Sequence, residues 1–111
     1  MRCRREFHLV SEMHQKVLDV RGGKKDPGAN VIVYRKNSPP SKNQLWYVDQ
    51  QGYMRSALND FALDASKSDA HFVVKPRLQV RRETGLRCNE LHYSCYLRQG
   101  GYVIVVVCLS V

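Results

Sequence analysis

The pattern that runs from Phe7 to Trp46 starts again in the residues that follow, and this repetition constrains the fold more than any other feature. In the first unit, Leu18-Asp19-Val20 precedes a Gly-rich turn and the apolar run Val31-Ile32-Val33-Tyr34. The next unit places Leu63-Asp64-Ala65 and Phe72-Val73-Val74-Lys75 in the same order. Internal repeats fold as copies of one supersecondary unit. We therefore expect a chain built from related units.

The units are predicted to consist of short strands. Glu6-Phe7-His8-Leu9-Val10 alternates polar and apolar residues, and Asp26-Pro27-Gly28 is a turn signature. No stretch repeats apolar residues at a spacing of 3.6 over ten or more positions. Short strands with turn signals every eight to twelve residues or so favour an all-β barrel or sandwich.

The repetition weakens towards the C-terminus. The first unit ends in Gln44-Leu45-Trp46, and a second Gln-x-Trp is expected near Asn89, where nothing matches. Gln79-Val80-Arg81 comes too early and lacks the aromatic residue. We interpret residues 1–111 as a single domain. Its predicted parts are repeat one at 6–47, repeat two at 48–80 and a divergent C-terminal segment at 81–111.

The net charge of +8 favours anionic partners without demonstrating one. The basic residues are spread along the chain, as on an ordinary solvated surface. The four cysteines are Cys3, Cys88, Cys95 and Cys108, and none forms Cys-x-x-Cys. Cys88 and Cys95 flank His92 at a spacing that fits no common zinc pattern, so we expect no metal and no cofactor.

Neither a signal peptide nor a membrane-spanning segment is visible in the sequence. The N-terminal residues are charged and lack an apolar stretch behind them, and the apolar run from 102 to 111 is too short to span a bilayer as a helix. A cytoplasmic or non-classically secreted protein with free thiols is the default expectation. The pairing of the cysteines is left open.

Four motifs between Phe7 and Pro76 resemble the ricin B-type lectins, the R-type or Gln-x-Trp family. They are Leu18-Asp19-Val20, Val31-Ile32-Val33-Tyr34, Asn43-Gln44-Leu45-Trp46 and Gly52-Tyr53-Met54-Arg55-Ser56. The resemblance implies a β-trefoil of three repeats of four strands, with six strands closing a barrel. The last third does not resemble a third repeat, so we expect an incomplete trefoil or one with a divergent third repeat.

The resemblance also implies a sugar site in the first repeat. Asp19 would accept hydrogen bonds from two adjacent hydroxyls, Tyr34 would stack on the pyranose, Asn43 would bond the sugar, and Gln44 would brace the carboxylate. The family often has a polar residue where this chain has Ile32, so one hydrogen bond is missing. Elementary chemistry agrees, because a carboxylate accepts charge-assisted hydrogen bonds and an aromatic ring covers a patch of C–H groups.

Two further residues follow from the same comparison. Trp46 is expected to fill the core. Asp64 is the candidate for a second site, but Lys75 stands at the position of the stacking aromatic.

These features predict a non-enzymatic lectin that binds galactose or N-acetylgalactosamine weakly, near the millimolar level of about −4 kcal/mol. No catalytic residue is assigned, since a glycosidase needs two carboxylates flanking one bond. One alternative is a basic protein that binds nucleic acid or anionic glycans through Arg77, Arg81, Arg82 and Arg87. Another is a truncated or altered lectin form that has lost sugar binding. Its open barrel edge would self-associate through the strand from Tyr102 to Val107.

Overall fold

The computed structural model describes residues 6–11, 15–65, 71–80, 94–99 and 102–110. It confirms the all-β prediction. The strands are β1 Phe7–Ser11, β2 Val17–Val20, β3 Ala29–Tyr34, β4 Trp46–Val48, β5 Met54–Ser56, β6 Ala62–Ala65, β7 Phe72–Lys75, β8 Ser94–Gln99 and β9 Tyr102–Ser110. Short 3₁₀ turns lie at Arg21–Gly23, Lys42–Gln44 and Arg77–Gln79. Among the described residues, no helix is long and apolar enough to cross a membrane.

Seven strands pair into a closed ring. Their order is β2-β3-β7-β6-β5-β4-β1, and β1 returns to β2 through the pair Val10 and Val17. All the pairings between these strands are antiparallel. Closing a sheet in this way leaves few free edges, which limits pairing with other chains.

Two hairpins of the same register lie side by side in this ring. The first hairpin, β2–β3, pairs Asp19 with Ile32, and the second hairpin, β6–β7, pairs Asp64 with Val73. β3 and β7 are hydrogen-bonded neighbours. The two aspartates therefore occupy matching positions, each in the third position of the second or sixth strand.

The core is built around Trp46, which is completely buried. Its indole Nε1 donates a hydrogen bond to the carbonyl oxygen of Leu18 at 3.0 Å, so its polar atom is satisfied inside the core. The other buried members of this cluster come from β1, β2, β3, β5, β6 and β7: Phe7, Leu9, Leu18, Val20, Ala29, Val31, Met54, Leu63, Phe72 and Val74.

The 77–79 turn is the structural counterpart of the 42–44 turn. In the first, Gln44 N donates to Ser41 O at 3.0 Å, and in the second Gln79 N donates to Pro76 O at 2.8 Å. Seven residues, 35–41, precede the first turn after β3, whereas Pro76 alone precedes the second after β7. The expectation that Gln79 comes too early to match Gln44 was wrong. The loop before the second turn is shorter, which changes the spacing along the sequence but leaves the backbone hydrogen bond of the turn in place.

The C-terminal strands pair within the chain. β9 pairs with β8 from Tyr102 to Val107 and with β1 from Val106 to Ser110. The segment expected to self-associate is thus hydrogen-bonded to strands of its own molecule. β8 begins at Ser94, in a region without a clear strand pattern in its residues, and Cys88 and His92 lie outside the described residues.

Candidate functional site

Asp19 lies on the outer face of the first hairpin. Side chains alternate between the two faces of a strand, and its neighbours Leu18 and Val20 both belong to the core cluster. Asp19 must therefore point away from that cluster, on the same face as its cross-strand partner Ile32. The Asp19 side chain is nevertheless only 5% exposed, because the 42–44 turn covers it.

Two amide side chains of this turn hold the carboxylate. Asn43 Nδ2 donates to Asp19 Oδ1 at 3.2 Å, and Gln44 Nε2 donates to Asp19 Oδ2 at 2.8 Å. A carboxylate has about four acceptor positions, so each oxygen keeps capacity for one more donor. The two amides thus hold the Asp19 carboxylate in an orientation in which its oxygens can accept hydrogen bonds from two hydroxyl groups.

Gln44 also fastens the loop that leads away from β3. It is completely buried, its Nε2 donates to Arg35 O at 2.8 Å, and its Oε1 accepts from Asn37 N at 2.8 Å. Asn37 Nδ2 in turn donates to Ser41 Oγ at 2.9 Å. These contacts were missed from the sequence, although Asn37 and Ser41 flank a Ser-Pro-Pro loop and are residue types that bond locally in loops.

The environment shifts the acidity of Asp19. Burial raises the pKa of its carboxyl above the ordinary value, while the hydrogen bonds from Gln44 and then Asn43 partly offset that rise. Desolvation disfavours the charged form, and donors aimed at the carboxylate favour it. The two amides thus donate to both carboxyl oxygens and favour the ionised form, against the effect of burial.

Tyr34 supplies an exposed aromatic ring on the same face. It pairs with Val17, two positions from the pair of Asp19 and Ile32, and it is 45% exposed. The guanidinium of Arg35 lies 5.9 Å from the ring centroid. Ile32 lies between Tyr34 and the turn end of the hairpin and offers no polar group there. The structure therefore brings Asp19, Asn43 and Gln44 into contact and places Tyr34 beside them by register.

The second hairpin is arranged differently. Lys75 pairs with Ala62, as Tyr34 pairs with Val17. Its ammonium lies 3.5 Å from Oδ2 of Asp64, a side chain with no exposed surface. The carboxylate of Asp64 thus faces a cationic side chain of the protein, whereas the carboxylate of Asp19 accepts hydrogen bonds from two neutral amides.

Of the four arginines of the alternative nucleic-acid hypothesis, one lies within the described residues. Arg77 lies over the ring of Tyr53, 3.7 Å from its centroid, whereas Arg81, Arg82 and Arg87 are outside the described residues. No group of three or more potential metal ligands occurs in the part of the chain that the structure describes.

Comparisons with known proteins agree with this architecture. The structure is similar to the C-terminal domain mutant of an earthworm lectin, solved with 6'-sialyllactose, at 28% identity and a TM-score of 0.69. It is similar to the C-half of the earthworm R-type lectin, solved with GalNAc, at 28% identity and a TM-score of 0.68. Both alignments cover 96% of this chain and 89% of the other. A β-trefoil lectin of Vibrio vulnificus hemolysin/cytolysin, at 16% identity, has a TM-score of 0.68 over 98% of this chain and 87% of its own.

The similarity to the Vibrio vulnificus lectin concerns the fold alone. Together, the three similar structures confirm the prediction of a β-trefoil. A search of curated proteins gave no match. The family model of the ricin-type beta-trefoil lectin domain matches residues 5–84, which is most of the chain. The chain therefore belongs to the ricin-type beta-trefoil lectin domain family.

Proposed function

We propose that this lectin binds a galactose-type sugar at one site, formed by Asp19, Asn43 and Tyr34, with Gln44 as the brace. The observation that carries the proposal is the Asp19 carboxylate, held at 3.2 and 2.8 Å by two amides on the face that also presents Tyr34. Vicinal hydroxyls would bond Asp19, and the C–H face of the ring would lie on Tyr34. The C-half of the earthworm R-type lectin, which is 28% identical to this chain, was solved with GalNAc, and this supports the choice of sugar.

A single site of this kind is shallow and weak. Each net hydrogen bond contributes about 0.5–1.5 kcal/mol, so we expect affinity near the millimolar level. Residues 6–47 act as the binding repeat in this proposal, and residues 48–80 as a repeat that keeps the scaffold. Strong retention on a surface would need several copies bound together.

The proposal involves no catalysis. Glycoside hydrolysis uses a pair of carboxylates, whereas the side chains that contact Asp19 are the amides of Asn43 and Gln44. It requires neither an anionic polymer nor a second copy of the chain, and both of those partners remain separate hypotheses.

The test is retention on galactose resin by the Asp19→Asn variant, with Asp64→Asn as the matched control. Asparagine keeps the size of aspartate but removes the charge, so we expect Asp19→Asn to elute in the void volume while its circular dichroism is unchanged. Asp64→Asn breaks an ion pair with Lys75, so its folding is checked by the same circular dichroism, and the folded variant should be retained like the native chain. Equal retention of Asp19→Asn and the native chain would contradict the proposed site.

A further inference from the structure

We propose that a cavity next to the Asp19 site receives an acidic substituent of the bound glycan, either a sulfate ester or a carboxylate. The cationic side chains that would bind it are Arg21 and Lys24. This inference rests on the proposed function, since the cavity adds an anion to a sugar already held at Asp19.

The register of the first hairpin places the cavity beside the sugar site. Asn30, which lines the cavity, stands two positions from Ile32 in β3, so its side chain lies on the face of Asp19. Arg21 follows β2 directly, two residues after Asp19, which is a distance of about 7 Å along a strand. Asn43 Nδ2 also donates to Val20 O at 3.2 Å, so the 42–44 turn contacts the residue just before Arg21.

The cavity has the size of a small-molecule subsite. Its volume is about 490 Å³, within the range of about 300–1,000 Å³ found for ligand pockets. Its lining includes the polar residues Arg21, Lys24, Asp26 and Asn30, together with residues 27–29. Sugar hydroxyls or a charged group of a few atoms can enter a space of this size.

The charges in the cavity favour an anion. Arg21 and Lys24 are both exposed, and in the described parts of the chain neither forms an ion pair or a side-chain hydrogen bond. Asp26 is the acidic residue of the lining, which leaves two cationic side chains against one carboxylate. An arginine fork binds sulfate or carboxylate through two parallel hydrogen bonds, and lysine adds a point charge.

The backbone of the 21–23 turn lets both cations line one cavity. Gly22 and Gly23 have φ values of 65° and 63°, which glycine adopts without steric cost. Lys24 N donates to Arg21 O at 3.4 Å across these glycines. The chain thereby reverses between the two basic residues, and both line the cavity beside the Asp19 carboxylate.

The test compares lactose, sulfated lactose and sialyllactose by isothermal titration at low and at high salt. Because exposed ion pairs contribute modestly and are screened by salt, we expect the native chain to bind one of the acidic sugars about five- to tenfold more tightly than lactose at low salt. The two acidic sugars tell a sulfate from a carboxylate. The Arg21→Gln and Lys24→Gln double variant should lose this preference and keep its affinity for lactose.

Lys25→Gln is the matched control, because Lys25 is an exposed lysine of the same loop that does not line the cavity. It should keep most of the preference. The inference is overturned if native protein binds lactose and both acidic sugars equally, or if Lys25→Gln removes the preference as fully as the double variant. Native protein that binds none of the three sugars would overturn the proposed function as well, whereas lactose binding that is lost in Asp19→Asn would uphold that function by itself.

Discussion

The ammonium of Lys75 lies 3.5 Å from Oδ2 of Asp64, in the hairpin position where Tyr34 presents its ring beside Asp19. In the proposed site, the first hairpin presents a carboxylate and an aromatic ring on one face. In the second hairpin, the carboxylate on β6 forms an ion pair with a cation on the paired strand β7. In our proposal, this difference distinguishes the repeat that binds sugar from the repeat that supports the fold.

Lys75→Met is expected to lower the free energy of unfolding by about 2–3 kcal/mol. Methionine keeps most of the side-chain bulk but removes the cation that lies 3.5 Å from a fully buried carboxylate, and removing one partner of such a pair is destabilising. Urea denaturation monitored by Trp46 fluorescence measures the change. Lys16→Met, at an exposed lysine, is the control and should change stability by less than about 0.5 kcal/mol. Equal effects of the two substitutions would show that the ion pair does not stabilise the fold.

Gln44→Glu should reduce both stability and sugar binding. The new carboxylate can still accept from Asn37 N, but it no longer donates to Asp19 Oδ2 and Arg35 O, which lie at 2.8 Å. Burying a second carboxylate beside Asp19 adds repulsion, so we expect a loss of about 2–4 kcal/mol near neutral pH. Thermal unfolding gives the stability, with the exposed Gln50→Glu as the control. A variant as stable as that control would contradict the bracing role.

Substitutions at Tyr34 should separate stacking from stability. Tyr34→Phe keeps the ring, so sugar affinity should stay within about twofold, whereas Tyr34→Ala should weaken binding about five- to tenfold, equal to about 1–1.4 kcal/mol. The side chain is 45% exposed, so neither substitution should greatly change the free energy of unfolding. Titration calorimetry with lactose measures the affinities. Unchanged binding by Tyr34→Ala would remove the ring from the site.

Sugar binding should weaken as the pH falls through the raised pKa of Asp19, which starts at a higher pH than for a carboxyl of ordinary pKa 3.8. Protonation turns one acceptor oxygen into a donor and removes the charge that strengthens the hydrogen bonds to hydroxyls. Stability should follow the opposite direction. A folded-state pKa above the unfolded value favours the folded state at low pH, and this contribution is lost as pH rises from 3.8 through the raised pKa.

A comparison of lactose affinity and unfolding free energy across this pH window checks both signs. In Asp19→Asn the dependence that comes from this carboxyl should be absent from the unfolding curve. If native affinity for lactose stayed constant through the window, an ionised Asp19 would not be needed for binding.

Much of the geometry of the candidate site could be predicted because each part of it is encoded locally. Side chains alternate between the two faces of a strand, so the apolar neighbours of Asp19 determine on which face its side chain lies. Val31-Ile32-Val33 is β-branched, which favours a strand, and it ends in the exposed aromatic residue Tyr34. The hydrogen bonds of Gln44 to Arg35 and Asn37 were harder to foresee. They depend on how the loop at 35–41 folds back onto the turn, and no periodic pattern records that path.

The sequence by itself determined the strand-and-turn pattern, the family and the identity of the candidate sugar-binding residues, because these depend on residue type and short spacing. Tertiary structure alone decided that Arg77–Gln79 matches Lys42–Gln44. The loop before the second turn is shorter, so the spacing along the sequence differs, but both turns keep the same backbone hydrogen bond. It also decided where the C-terminal segment pairs, because Phe7 and Ser110 meet only when the chain closes on itself. Contacts between residues so far apart are set by the packing of the whole sheet, and no local pattern contains them.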